Sequence, residues 1–512
     1  MEAHARAVAQ IASAIRAFHR SKTPFRISHG STNSTRPQQH KQNVLDISAL
    51  RNVVHIDTEK RTALVEPNVP MDRLVEATLK HGLIPPVVME FPGITVGGGY
   101  AGTAGESSSF RHGFFDRTIA SVEIVKADGE VVVARPGEDV RSGEGYADLF
   151  HGAAGALGTL GTTTLVELRL VKARKFVRTT YHPQRSVGDA IENVGKQTGN
   201  EKNDYVDGIL FSKEHGVVVT GEMTDDLPPN KQVQTFSDPW DPWFYLHARE
   251  KTKNATGPVT DIIPLAEYLF RYDRGGFWVG KSAFDYFKFP FNKLTRWWLD
   301  DFLHTRMLYR ALHASGESKR YIVQDLALPY STAEEFINYT AARFGIWPLW
   351  LCPLKESPQP TMHPHSRSKE TTASHGKYPC GQMLNIGVWG FGPANLDEFV
   401  EANRDLERRL QELGGMKWLY AHTYYTEDEF WQNFDRDWYE GLRQKYNATS
   451  LPSVYDKVKI DVEADRREMA QSWGRWLRSL WPLGGMYGIR KAIQSRDYYI
   501  ARNSTWKWKK TC

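Results

Sequence analysis

Cysteine is scarce in this chain: three residues in 512, Cys352, Cys380 and Cys512, with no paired spacing. That excludes a disulfide framework and the closely spaced thiols of a structural zinc site, and it suits a reducing compartment. No apolar run reaches the ~18 residues of a membrane-spanning helix, so no span is expected. The stretch Ala3 to His19 is dotted with Arg and His and has no continuous apolar centre. It reads as an amphipathic helix rather than a secretory signal. Internal repeats and metal-ligating clusters are absent, so no metal is expected. With 41% apolar and 24% charged residues the protein is neither disordered nor fibrous, and its length calls for two or three packed units.

Aromatic residues, by contrast, are plentiful at 12%, with 16 Trp. They read either as a large aromatic core or as the wall of a pocket for a bulky apolar ligand. The net charge of +5 hides an asymmetry, because the segment from Arg466 to Cys512 holds 11 Lys or Arg against two acids, together with five Trp. Such a mixture suits an anionic membrane interface, while a basic extension without a partner is the plainer reading. No nucleic-acid module accompanies it, so nucleic acid is not expected as a partner.

Between Pro24 and Leu170 short β-branched runs alternate with turns: Val44 to Ile47, Val53 to Ile56, Ala63 to Glu66, Val122 to Val125, Val131 to Val133 and Leu165 to Leu168. These predict strands, and Asp128-Gly129 predicts a hairpin. A helix is expected over Met71 to His81, closed by Gly82. The fold class is therefore α+β. Beyond about residue 172 longer aromatic-rich segments begin, with a predicted capping box at Ser331-Thr-Ala-Glu334 and a helix from Leu396 to Leu413 ended by Gly414-Gly415. The polar stretch Glu356 to Lys377 reads as a mobile surface loop. Three regions follow: 1–172 with its leading helix in 1–23, 173–460, and a tail over 461–512.

The chemistry-bearing candidate is the run Thr95-Val96-Gly97-Gly98-Gly99-Tyr-Ala-Gly102-Thr103-Ala-Gly105-Glu106-Ser107-Ser108-Ser109. Consecutive small residues let backbone N–H groups converge on a pyrophosphate with no Cβ in the way, and the hydroxyls add donors. Taken alone the run is equally well a tight structural loop. A Rossmann arrangement is excluded, since no strand, Gly-x-Gly-x-x-Gly and helix follow one another here. Two further small-residue loops occur in the same region: Arg26-Ile-Ser-His29-Gly30-Ser31-Thr32-Asn-Ser-Thr-Arg36 and Gly152-Ala-Ala-Gly-Ala-Leu-Gly158-Thr159-Leu-Gly161.

Three such loops resemble the flavin domain of the p-cresol methylhydroxylase (PCMH) and vanillyl-alcohol oxidase superfamily. More closely, the sequence resembles the Diminuto/Seladin-like Δ24-sterol reductases, also called 24-dehydrocholesterol reductases. The resemblance runs through Gly105-Glu-Ser-Ser-Ser109, Ala127-Asp-Gly129, Ala173-Arg-Lys-Phe-Val177, Val323-Gln-Asp325, Trp347-Pro-Leu-Trp-Leu-Cys-Pro353, Leu419-Tyr-Ala421, Glu429-Phe-Trp431 and Val454-Tyr-Asp-Lys457, covering about residues 20 to 460.

It implies a PCMH-type FAD-binding domain of two α+β subdomains, followed by a C-terminal α+β substrate domain. It also implies FAD held by the three loops without a covalent bond, because His29 is followed by Gly30 where many relatives have Ser. The implied reaction saturates a carbon–carbon double bond in the side chain of a sterol or related isoprenoid, with electrons from NADPH. Candidates for the proton donor are Tyr420, His422 and Tyr424, with Asp325 and Glu106. Relatives with an apolar anchor are membrane-bound; this sequence begins at the following helix, so a cytoplasmic location or peripheral contact with the cytosolic face of the endoplasmic reticulum through 466–512 is expected. An FAD oxidase acting on a small alcohol or amine, and a non-catalytic flavin-fold protein, are the alternatives.

Overall fold

A computed structural model describes residues 1–30, 43–138, 145–229, 231–367, 378–463, 466–467 and 481–509. The first helix, Glu2–Arg20, buries His4, Val8, Ile11, Ala12 and Ile15, a stripe at the three-and-four spacing that puts side chains on one helical face. That stripe lies on a five-stranded antiparallel sheet whose order is Val53–Asp57, Thr62–Val65, Thr162–Arg169, Ile119–Val125 and Val131–Ala134. The hairpin at Asp128-Gly129 is as expected. Gly129 has φ +85°, and a Cβ there would stand 2.3 Å from Arg16 Cγ and 2.8 Å from the Ala12 carbonyl oxygen, so both conformation and contact demand glycine.

A second, eight-stranded antiparallel sheet runs Val259–Pro264, Phe176–Gln184, Gly216–Thr224, Tyr205–Leu210, Leu349–Lys355, Gln382–Phe391, Tyr321–Leu328 and Met416–Lys417. Successive residues of a strand point to opposite faces. Ile322, Leu326, Leu349, Leu351, Leu384, Ile386 and Val388 therefore join one apolar core with Ile191, Phe336 and Leu406. Those three stand on the helices Val187–Thr198, Tyr330–Arg343 and Leu396–Glu412. Their neighbours Val323, Asp325, Trp350, Asn385 and Trp389 are thereby turned to the other face, where they line a cleft.

Several expectations need correction. The helix Tyr330–Arg343 has Pro329 at its N-cap, with no hydrogen bond from the helix to that residue's side chain. The proline starts the helix two residues early, Ser331 falls inside the first turn, and no capping box forms. The start of the Glu356 to Lys377 stretch is not a surface loop: Ser357, Thr361, Met362 and His363 are buried, with Met362 against Gly155 and His363 stacked on Phe114 at 4.8 Å. Its remainder, 368–377, lies outside the described residues. In the basic tail, Trp506 packs on Phe270 and Trp508 on Phe176, so these two indoles serve the fold. Among the described residues no helix is long and apolar enough to cross a membrane.

Candidate active site

The cleft occupies about 2160 Å³ and is lined from both sheets. Single ligand pockets measure roughly 300–1,000 Å³, so this one has room for a dinucleotide and a second bulky molecule end to end.

At one end lies the glycine-rich run, and it is partly helical: Val96–Ala101 form a short helix whose N-cap, Thr95, accepts a hydrogen bond from the Gly98 N–H. Val96 donates to the Val69 carbonyl, Gly97 to Pro67 and Gly99 to Thr95. These four N–H groups are spent inside the fold, which corrects the expectation that they converge on a phosphate. What the run offers a ligand is a floor of small residues, with Gly97, Gly98, Gly102 and Gly105 on the cleft. Positive charge comes from elsewhere. Arg26, its pKa lowered by burial, and Lys457 both line the cleft beside Gly158. Lys457 Nζ donates to the Leu157 carbonyl at 2.8 Å, and Arg26 donates to the Asp456 carbonyl at 3.3 Å. Farther along, Glu106 reaches the cleft with Oε2 buried and without a hydrogen-bond partner among the described residues. A buried polar atom in that condition is costly unless a ligand satisfies it. Two cations at one end, a glycine floor and an acceptor awaiting a donor fit FAD.

The opposite end is aromatic. Phe277, Tyr309, Trp350, Trp389 and Trp418 line it, with Phe277 and Trp389 rings 4.7 Å apart. Into this wall projects one carboxyl group. Asp325 accepts from Tyr420 Oη at 2.5 Å and from Asn385 Nδ2 at 3.0 Å. Burial pushes its pKa up to about 6, against the two hydrogen bonds, which lower it. Tyr420 is held well above the ordinary tyrosine range, first by burial and then by the neighbouring carboxylate. Trp418 couples the two ends: its backbone N–H donates to the Asp325 carbonyl and its indole Nε1 to the Thr103 carbonyl of the glycine run at 2.8 Å.

A buried ion cluster adds a second tie. Arg271 donates to Asp207 at 2.8 Å and lies 3.4 Å from Glu90 and 3.5 Å from Ser107 Oγ. Burial lifts the Glu90 carboxyl to about 8, so at neutral pH it is largely protonated and Asp207 balances Arg271. Tyr272 and Trp350 also donate to Asp207, so one side of the aromatic wall hangs from this cluster.

Of the candidate residues, Arg26, His29, Gly30, Thr95, Gly97, Gly98, Gly102, Gly105, Glu106, Gly158, Gly161, Asp325, Tyr420, His422 and Tyr424 share the cleft. Val96, Gly99, Thr103, Ser107, Ser108, Ser109 and Thr159 stand behind it. Ser108 Oγ donates to the Pro86 carbonyl, Ser109 Oγ accepts from the Glu106 N–H, and Thr159 Oγ1 accepts from Tyr439. Their hydroxyls shape the turns. Ser31, Thr32 and Arg36 lie outside the described residues. Sequence reasoning passed over Lys457, Arg271, Glu90 and Asn385 as site residues. Lys457 stood in a quoted motif, but its 300-residue separation from Leu157 left no local signal.

Residues 2–135 match the family model described as "FAD binding domain". The protein is 29% identical over 419 residues to the Delta(24)-sterol reductase of Homo sapiens, covering 80% of this chain and 76% of that protein. It is 30% identical over 456 residues to the Delta(24)-sterol reductase of Arabidopsis thaliana, covering 84% and 79%. Against Cytokinin dehydrogenase 4 of Oryza sativa subsp. japonica it is 32% identical over 191 residues, 37% of this chain and 34% of that protein. With an α+β flavin fold, a cleft that fits FAD and relatives aligned across both sheets, the chain is an FAD-dependent oxidoreductase and belongs to the Delta(24)-sterol reductase family.

Proposed function

We propose that this oxidoreductase saturates a carbon–carbon double bond in the side chain of a sterol or related isoprenoid, with electrons from NADPH. The observation that carries the reading is the Asp325–Tyr420 pair set in an aromatic wall within the cleft that holds the glycine run. An isolated alkene has no carbonyl to polarise, so its reduction needs a well-placed acid. Bound FAD, once reduced by NADPH, would supply the hydride.

Region 1–172 holds the cofactor and 173–460 the substrate, with the C-terminal segment of the latter returning to the flavin and bringing Lys457. Arg26 and Lys457 neutralise the pyrophosphate, the glycines let it approach, and Glu106 accepts a hydrogen bond from the cofactor. Phe277, Trp350 and Trp389 exclude water and hold a rigid polycyclic body. In its acid form Asp325 donates to the Tyr420 oxygen, which frees the phenolic hydrogen to move to the alkene carbon. Asn385 keeps the carboxyl oriented. His422 and Tyr424 border the same space; Lys417 donates to the His422 carbonyl and the Tyr424 N–H donates to Glu407, which fixes their backbone, and the proton is assigned to Tyr420 for its hydrogen bond with Asp325. NADPH visits the same cleft in turn, and the 466–512 tail contacts the cytosolic face of the endoplasmic reticulum.

The test is turnover of a Δ24-sterol by the purified, FAD-loaded protein with NADPH under anaerobic conditions. Saturated product is expected; oxidation of a small alcohol instead of alkene reduction overturns the reading.

A further inference from the structure

On the outside of the aromatic region the protein exposes a run of large apolar side chains that a water-facing surface does not need. Leu294 is 61% and Trp298 67% exposed on the short helix Lys293–Trp298, and Trp481 is 55% and Met486 58% exposed on the tail. Trp240, Phe289, Trp297 and Leu483 are exposed too. They form one surface, linked contact by contact. Trp240 stacks on Trp297 at 4.6 Å, Phe289 stacks on Trp298 at 6.2 Å, and Lys288 lies over the Trp481 ring at 5.2 Å. The Trp481 indole donates to the Tyr286 carbonyl at 2.7 Å, and a Cβ on Gly485 would meet the Tyr286 and Phe287 rings. The tail is thus seated on the 286–298 segment.

The charge within the two segments of this surface is of one sign. Tyr286 to Trp298 carries Lys288, Lys293 and Arg296 and no acid, and Trp481 to Arg496 carries Arg490, Lys491 and Arg496 and no acid. The acids at its margin are Asp238, Asp241, Asp285, Asp300, Asp301, Glu317 and Asp497; Asp285 pairs with Lys281, Asp300 with Arg274, Asp301 with Arg502, Glu317 with Arg320 and Asp497 with Arg310. Exposed Trp interleaved with cations matches the headgroup layer of an anionic bilayer, where indoles sit at the interface and lysines meet phosphates. The helix Leu483–Ser495 stands at the boundary between this surface and the cleft. Leu483, Met486 and Ile493 face solvent, and the adjacent stripe Tyr487, Lys491 and Gln494 lines the cleft.

We infer that Trp240, Leu294, Trp297, Trp298, Trp481 and Met486 centre a docking surface for an anionic lipid bilayer, with the cleft mouth opening beside it along the helix Leu483–Ser495. An apolar substrate then enters the cleft from the bilayer beside this helix. This deepens the proposed membrane contact of the tail by adding the 240 and 286–298 surface. It rests on the sterol reading for its use but not for its existence, since docking is measured with no sterol or NADPH present.

The test is flotation of the full-length FAD-loaded protein with vesicles of phosphatidylcholine alone and of phosphatidylcholine mixed with phosphatidylserine. The protein is expected to float with the mixed vesicles and to be released by salt. L294S/W297S/W298S lowers vesicle affinity at least about tenfold with flavin absorbance retained. K288E/K293E, at two exposed lysines, lowers it on the mixed vesicles only, and decides the matter if the aromatic variant does not fold. Wild-type protein that stays at the bottom of the gradient, or lysine variants that float like it, overturns the inference. So does a wild-type dimer split by these substitutions with flotation unchanged, which assigns the surface to a second copy. Reductase activity on detergent-dispersed sterol reports separately on the reaction.

Discussion

Tyr420 donates its phenolic hydrogen to Asp325 across 2.5 Å, joining two positions 95 residues apart at the aromatic end of the cleft. The strand Tyr321–Leu328 presents the carboxylate on its cleft face, and the segment after Met416–Lys417 brings the tyrosine to it. Everything proposed about proton delivery depends on this pair.

If Asp325 must be protonated to free the Tyr420 hydrogen, activity follows its acid form. Its pKa is raised to about 6, so the rate is full below that value and falls as pH rises through it. A pH profile of kcat measures this. Asp325→Asn is expected to lose about 10²–10⁴ in kcat and the falling limb with it.

Tyr420→Phe removes the hydrogen at the end of the relay and leaves Asp325 in place. A fall in kcat of about 10–10³ with little change in KM is expected, because an interaction made only in the transition state is lost. Steady-state kinetics on one sterol separates the two parameters. A rise in KM alone would make Tyr420 a wall residue.

Lys457→Met deletes one of the two cations beside Gly158. Charged hydrogen bonds contribute about 1.5–3 kcal/mol, so the FAD dissociation constant is expected to rise roughly tenfold to a hundredfold. Titration of the flavin-free protein followed by fluorescence measures it.

The Arg271 cluster makes a stability prediction. Glu90 titrates at about 8 in the fold against an ordinary 4.5, so the folded protein binds more protons than the unfolded one between these values. Stability therefore declines as pH rises across that window and levels off above it. Glu90→Gln removes this slope, which denaturant midpoints at several pH values reveal. Arg271→Met leaves Asp207 buried without its cation and is expected to cost about 3–5 kcal/mol.

Much of this was legible in the sequence. β-branched runs bounded by turns located the five-stranded sheet, because each strand carries its own alternation and its own turn, and Asp128-Gly129 fixed a hairpin through Gly129's positive φ. The glycine run could be found as a motif because close backbone approach needs consecutive small residues, but not its hydrogen bonds: the acceptors for Gly97 and Val96 are the carbonyls of Pro67 and Val69. Asp325 and Tyr420 were candidates through motifs, whereas their contact depends on the register of Met416–Lys417 against Tyr321–Leu328. Arg271 and Glu90 carry no local pattern, and the motif holding Lys457 does not show its place, since each acquires its meaning from burial against a distant segment. Ser331 misled because a capping sequence two residues after Pro329 competes with a proline that already sets the helix start.

The most direct test of the account is anaerobic stopped-flow absorbance of the bound flavin. NADPH should bleach it, and a Δ24-sterol added afterwards without oxygen should restore the oxidised spectrum, quickly in the wild type and slowly in Asp325→Asn. A flavin bleached by a small alcohol and untouched by NADPH, or one that the sterol fails to reoxidise, would contradict it.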